Sequence, residues 1–198
     1  MSLLPFRTKL GLRVLPFLAL ALSARATTVI APDFDHLVSR AQVIFDGNVT
    51  GVRSQWIGEG SEHRIVTFVT FKVNDLIKGD AASNYTIRML GGTVDGRTMR
   101  VTDAPEFAVG DHDLLFVENN GSQFVPLVGI GHGRFHIGKD QSGSDMLVTG
   151  ENQPLTDVNQ LGADEHAVAQ NRRALSLTEF KSAVRTRMSE QKVRANTP

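Results

Sequence analysis

The chain has 198 residues, 21 Lys and Arg against 21 Asp and Glu, no cysteine, and a mean hydropathy of −0.11. This length allows one domain of ordinary size plus an appendage. The absence of cysteine excludes disulfides, thiolate catalysis and cysteine-ligated zinc, so stability must come from packing.

Residues 1–26 have the pattern of a secretory signal peptide. A basic segment precedes the apolar stretch Val14–Leu22, and Ala24-Arg25-Ala26 follows as an A-x-A cleavage site. The apolar stretch has nine residues, well short of the roughly 20 that cross a bilayer as a helix. We therefore expect cleavage before Thr27, a secreted or periplasmic bacterial protein, and no stable membrane insertion.

Cleavage also changes the charge of the protein. It removes four basic residues and no acidic ones, which leaves 17 Lys and Arg against 21 Asp and Glu, a formal charge of −4. Neutralisation of phosphates by clustered Lys and Arg supplies most nucleic-acid affinity. A mildly acidic chain without a basic tract predicts no nucleic-acid partner.

Residues 27–149 are predicted to form the main domain. It begins with a short helix over 33–40, where Phe34, Leu37 and Val38 fall at helical spacing. From Val43 to Thr149 the signals are those of strands and turns, and no helical segment separates them. The pattern predicts an all-β fold with peripheral helices, in the form of a small closed OB-like β-barrel.

The rest of the chain divides into a linker, a helix and a tail. Residues 150–175 are polar and poorly periodic, which is typical of a surface linker. Ser176 to Glu179 form a capping box that opens a C-terminal amphipathic helix over 176–192, and 193–198 are expected to fray. The apolar stripe of this helix is expected either to dock on the barrel or to meet a partner.

Two groups of histidines and aspartates are candidate metal ligands, but their spacing does not favour a metal site. His132 and His136 lie in a Gly-rich segment that predicts a strand, where residues four apart are about 13 Å apart, too far to bind one metal. Asp111-His112-Asp113 is typical of a tight turn that leads into a strand. We therefore expect no metal and no cofactor.

Catalytic motifs are equally scarce. The chain has no G-x-S-x-G nucleophile motif, and its Gly129–Gly133 segment does not match a P-loop. Catalytic partners can be distant in sequence, so a hydrolase or metal-dependent enzyme with a dispersed site stays open. The sequence favours a non-catalytic, exported binding module with a protein partner outside the cytoplasm, and a structural envelope component is a further alternative.

Trp56 and Ile57 are two large apolar residues in the polar, Gly-rich stretch 54–62, predicted as a loop between the first two strands. Such residues either fold back as a lid or contact a partner. Loops between the first strands of OB-type barrels flank the binding surface. Trp56 and Ile57 are therefore candidate contact residues.

The order of these parts resembles the N-terminal domain of the tissue inhibitors of metalloproteinases, the netrin-module form of the OB fold. The resemblance covers residues 27 to about 137 and is carried by Ala41–Gly47 as first strand, Phe71–Gly79 at the end of the second, and Phe107–Gly110 with Leu114–Val117. The chain also resembles a class of exported bacterial domains that share the strand order and the Leu76–Asp80 pattern.

The resemblance implies a specific partner and site. In those inhibitors the free N-terminal amine and the first carbonyl oxygen chelate the protease's catalytic zinc, and the second side chain enters the specificity pocket. The corresponding residues here are Thr27 and Thr28. An α-amino group with a pKa of about 8 is partly neutral at physiological pH and can ligate zinc. The family's N-terminal cysteine and its disulfides have no counterpart in this chain.

This mechanism predicts that a mature chain starting at Thr27 inhibits a metalloprotease, and that one extra residue before Thr27, or acetylation of its amine, abolishes inhibition. The amine would then no longer reach the zinc in a neutral form. N-terminal sequencing of the exported protein checks the start site, and a panel of metalloproteases checks the inhibition. Unchanged inhibition by the extended chain would rule out chelation.

Overall fold

The computed structural model describes residues 31–140, 142–150, 152–162 and 173–196. Two short 3-10 turns, Gly60–Glu62 and Val158–Gln160, accompany the regular elements. In chain order these elements are α1 (Phe34–Arg40), β1 (Val43–Ile57), β2 (Arg64–Lys78), β3 (Asn84–Leu90), β4 (Gly92–Val94), β5 (Arg97–Met99), β6 (His112–Val117), β7 (Arg134–Lys139), β8 (Asp145–Val148) and α2 (Leu177–Ala195).

Six strands form one antiparallel sheet in the order β3-β2-β1-β6-β7-β8, and β4 pairs with β5 in a separate hairpin. The predicted mostly β fold with a C-terminal helix is confirmed. The predicted closure into an OB-like barrel stays a prediction, because β3 and β8 are the outer strands of the described sheet.

The central strands of the sheet are covered on both faces. Side chains alternate across a strand, so Ile44 of β1 enters a core on one face while Phe45 enters a second core on the other. In β6, Leu114 and Phe116 join the first core, and Leu115 joins the second. The polar side chains that are buried on these two strands, Asp46 and Asp113, therefore need partners within the protein.

The two helices cover the first face, which we call the helix face. The Asp33 side chain caps α1 by accepting from the His36 amide, and Ser176 and Glu179 form the predicted capping box of α2. Phe180 and Val184 of α2 are fully buried in the core on this face. Amphipathic spacing thus docks α2 on the sheet.

The second face is covered by loops, and we call it the loop face. The segment that follows β6 folds back over it: the Leu90 amide donates to Phe124 O, and Leu127 forms a bridge with Val117. Phe45 and Phe71 make an edge-to-face contact in this core, with ring centroids 5.4 Å apart. The segment also carries Val125 into the same core.

Two segments differ from the sequence expectations. Within the predicted linker 150–175, Leu155 is buried and its carbonyl accepts from the Leu175 amide, because this part of the chain runs beside the outer edge of β8. Residues 163–172 lie outside the described part. Helix α2 continues to Ala195, three residues beyond the predicted end at 192, and Asn196 caps it.

One lysine of α2 joins the helix to two carboxylates of the sheet. Lys181 Nζ lies 2.9 Å from Asp46 Oδ2 and 2.8 Å from Asp75 Oδ2. Asp46 is 3% exposed and also accepts from His112 Nε2 at 2.7 Å and from Asn74 Nδ2 at 3.1 Å. Burial acts to raise the pKa of Asp46, but its hydrogen bonds with Lys181, His112 and Asn74 outweigh burial and lower that pKa below 3.8.

Replacing Lys181 by Met is expected to destabilise the fold by about 3 kcal/mol, because Asp46 keeps its buried charge and loses its cation. Urea unfolding measures this difference. Lys192→Met, in the exposed last turn of the same helix, is the matched control and should stay within about 0.5 kcal/mol of wild type.

The same ion pairs predict a pH dependence. The pKa of both Asp46 and Asp75 is lowered in the folded protein, so the stabilisation is complete above the ordinary value of 3.8 and is lost as the pH falls through the folded values. The gap between wild type and Lys181→Met should therefore shrink on acidification. A gap that is independent of pH would show that Lys181 acts through packing alone.

Candidate functional site

The register of β6 and β7 brings three polar side chains together on the loop face. Asp113 of β6 is the direct partner of His136 in β7, and Arg134 lies two residues before His136 on the same face. The alternation that sends Leu114 and Phe135 toward the helices points these three side chains the other way.

Asp113 is fully buried and binds two cationic or polar side chains through one oxygen. Its Oδ1 lies 3.0 Å from Arg134 Nε and 3.0 Å from His136 Nδ1. Its Oδ2 is buried and has no hydrogen-bond partner among the described residues. A buried carboxylate that is only half satisfied costs stability unless another donor reaches it.

Arg134 is held by several contacts. Its Nη2 lies 2.8 Å from Asp111 Oδ2, its Nη1 donates to the carbonyl of Glu106, and its guanidinium lies 4.2 Å from the centroid of the Phe107 ring. The loop that precedes β6 is thereby fixed against β7. The guanidinium is a structural cross-link between these two elements.

A cleft of about 800 Å³ opens beside this group. It is lined by residues 103–106, by the turn 129–132 with Arg134 and His136 of β7, and by Thr149, Gly150 and Asn152 after β8. Clefts of this size that combine apolar walls with a few fixed polar groups are typical ligand sites.

Backbone strain is concentrated in the walls of the cleft. Three of the lining residues are not glycine and have positive φ: Asp103 at 62°, Ile130 at 62° and Asn152 at 60°. For a β-branched residue such as Ile130 this conformation is a true outlier, and strain of this kind clusters at ligand sites. A Cβ on Gly131 would lie 2.9 Å from the Asp103 carbonyl oxygen, so only glycine lets these two walls meet.

His136 is the chemically active group of the cleft. A carboxylate oxygen only accepts, so the contact with Asp113 places the hydrogen on Nδ1 and leaves a lone pair on Nε2. The imidazole is 42% exposed and lines the cleft. It can accept a hydrogen bond from a ligand or remove a proton from one.

Of the four contact residues predicted from the sequence, the structure describes Trp56 and Ile57, and neither lines this cleft. Thr27 and Thr28 lie outside the described residues, and the zinc-chelating role remains a prediction. Trp56 and Ile57 lie in β1, paired with Ile65 and Arg64, because the hairpin extends through the stretch predicted as a loop. Trp56 stacks on His63 across that hairpin, with ring centroids 4.3 Å apart.

In the described part of the chain, no group of three or more His, Asp or Glu is arranged to hold a metal ion. His136 lies in β7 and His132 in the turn before it. In the same part of the chain, no helix has the length and apolarity needed to cross a membrane.

Sequence reasoning missed Asp113 and Arg134 as members of a site. Asp111-His112-Asp113 was interpreted as a turn that leads into a strand, which describes the local backbone, since β6 begins at His112. The available signal was a charged residue inside an apolar strand, because a charge at such a position needs a partner.

Comparison with protein-family models, with curated proteins and with solved structures finds no match for this chain. The assignment of the site therefore depends on its own geometry.

The tautomer of His136 is a direct test of that geometry. Nitrogen NMR of the neutral imidazole should show a protonated Nδ1 and an unprotonated Nε2. The exposed His36 of α1 serves as the reference. A hydrogen on Nε2 of His136 would contradict the contact with Asp113.

Proposed function

We propose that the mature protein is an exported, non-catalytic binding module whose ligand site is the cleft beside Asp113, Arg134 and His136. The observation that carries the proposal is the His136 imidazole, fixed through Nδ1 by a buried carboxylate and exposed to the cleft through the rest of its ring. A group held in this way is preorganised for recognition.

The composition of the lining supports binding over catalysis. Among the described residues of the cleft, Thr149 carries the only side-chain hydroxyl, and no lysine is present. Thr149 Oγ1 accepts a weak contact of 3.4 Å from the Gln153 amide. A nucleophile paired with His136 is therefore not evident in these residues.

The partner that we propose is an extracytoplasmic protein, which would insert a side chain or a terminus into the cleft. Inhibition of a metalloprotease through Thr27 and Thr28 is the narrower form of this proposal, and it depends on the mature N-terminus.

A hydrolase is the second candidate function, and one observation favours it. The Asp113–His136 pair has the arrangement of a general base with its orienting carboxylate. Such a site would use water as the nucleophile, since His136 Nε2 carries the lone pair.

The two functions are separated by a ligand screen. The mature chain is screened against tripeptides and small polar metabolites by thermal shift, and every hit is then tested for conversion. A bound ligand at about 100 times its Kd should add about 2.7 kcal/mol of stability. His136→Gln should lose the shift, and the matched control His36→Gln, on the exposed side of α1, should keep it.

A ligand that is bound but unchanged supports the binding module. If the wild-type protein chemically converts a bound ligand and His136→Gln does not, the protein is a hydrolase and the binding-module proposal is wrong. Hits that are insensitive to His136→Gln would place the binding surface elsewhere, with the Trp56 hairpin as the next surface to test.

A further inference from the structure

The cleft has an excess of hydrogen-bond acceptors, and this excess indicates the chemistry of its ligand. Its one described guanidinium, that of Arg134, already donates to Asp113, to Asp111 and to the Glu106 carbonyl. Most N–H donors of Arg134 are therefore already hydrogen-bonded within the protein.

Two acceptors of this group are not used by the described residues. His136 Nε2 carries a lone pair, and Asp113 Oδ2 is buried with no hydrogen-bond partner among those residues. A buried oxygen of this kind calls for a donor from water or from a ligand. Both atoms belong to one fixed group, and both accept hydrogen bonds.

The charges in the wall of the cleft also favour a donor-rich, positively charged ligand. Asp103 and Glu106 are exposed in the wall of the cleft, and neither has an ion pair with another described residue. The guanidinium of Arg134 is paired with Asp111 and Asp113, so it does not balance the charges of Asp103 and Glu106. Two exposed carboxylates without an ion pair among the described residues make this wall of the cleft negative, which favours a cation.

The walls can also accommodate an aliphatic stem. Ala104 and Pro105 lie between the two acidic residues, and Ile130 is half-buried in the facing turn. Lys and Arg side chains bind with their methylene groups on apolar surface and their charged ends at polar groups.

From this arrangement we infer that the cleft binds a positively charged, donor-rich group on an aliphatic stem, namely the guanidinium or ammonium end of a basic side chain of a protein partner. The inference rests on the proposed function and specifies its ligand. Asp103 and Glu106 attract the charge, and His136 Nε2 accepts one of its hydrogens. A free polyamine shares this chemistry and is a separate arm of the test.

The test is an NMR titration of the mature chain with arginine amide, with citrulline amide as the neutral isostere. Arginine amide should shift the His136 ring signals, and citrulline amide should bind at least about tenfold more weakly, since only the cation pairs with Asp103 and Glu106. Spermidine and the tripeptide Ala-Arg-Ala form two further arms. If Ala-Arg-Ala binds more tightly than spermidine, the ligand is a basic side chain of a protein. If spermidine binds more tightly than Ala-Arg-Ala, the ligand is a free polyamine and the inference of a protein side chain is overturned.

Substitutions of Asp103 and Glu106 test whether their carboxylates contribute to the affinity for arginine amide. Asp103→Asn combined with Glu106→Gln should weaken arginine amide by about tenfold, and asparagine tolerates the positive φ at position 103. Asp95→Asn is the matched control, because Asp95 is also an exposed aspartate with positive φ, in the turn between β4 and β5. The control should bind as wild type does.

The outcomes distinguish this inference from the function on which it rests. Equal binding of arginine amide and citrulline amide, sensitive to His136→Gln, would overturn the cationic ligand and leave the binding module in place. If no probe shifts the His136 signals while the thermal-shift screen yields hits that depend on His136, the cationic ligand is again overturned alone. If the thermal-shift screen yields no hit that depends on His136 and no probe shifts the His136 signals, both the binding module and its cationic ligand are overturned.

Discussion

Two buried aspartates on neighbouring strands set the main constraint on this protein. Both lie where β1 and β6 are covered on both faces, so their carboxylates lose water and must find partners within the chain. Asp46 is 3% exposed and Asp113 is fully buried. Their contacts join Lys181 of α2 and Arg134 of β7 to the central strands.

The two faces meet this requirement differently. On the helix face, Asp46 has a complete set of partners, including Lys181, and its hydrogen bonds lower its pKa. On the loop face, Asp113 has partners for Oδ1 only. The first aspartate stabilises the docking of α2, whereas the second keeps a buried oxygen with no partner among the described residues and holds His136, which lines the cleft. This contrast is the physical reason for placing the ligand site on the loop face.

Local signals predicted the helices and many of the strands. The Ser176–Glu179 capping box marked the start of α2, and the spacing of Phe34, Leu37 and Val38 marked α1. The length of β1 was missed, because the polar residues up to Ile57 carry no strand signal of their own and depend on pairing with β2.

The candidate site was less accessible from the sequence. Asp113 and His136 are 23 positions apart, and their contact depends on the pairing of β6 with β7, which no local pattern specifies. In the sequence, the glycines of Gly129–Gly133 suggested only a comparison with a P-loop, which the segment does not match. Its role as a wall of the cleft depends on the distant Asp103 carbonyl, which approaches Gly131 too closely for a side chain.

A crystal structure of the mature protein grown with arginine amide would show directly whether the cleft binds a basic group. We expect the guanidinium between residues 103–106 and 129–132, with a donor within hydrogen-bond distance of His136 Nε2, and His136 Nδ1 in contact with Asp113. An empty cleft with the ligand bound elsewhere, or an imidazole turned so that Nε2 faces Asp113, would contradict this expectation.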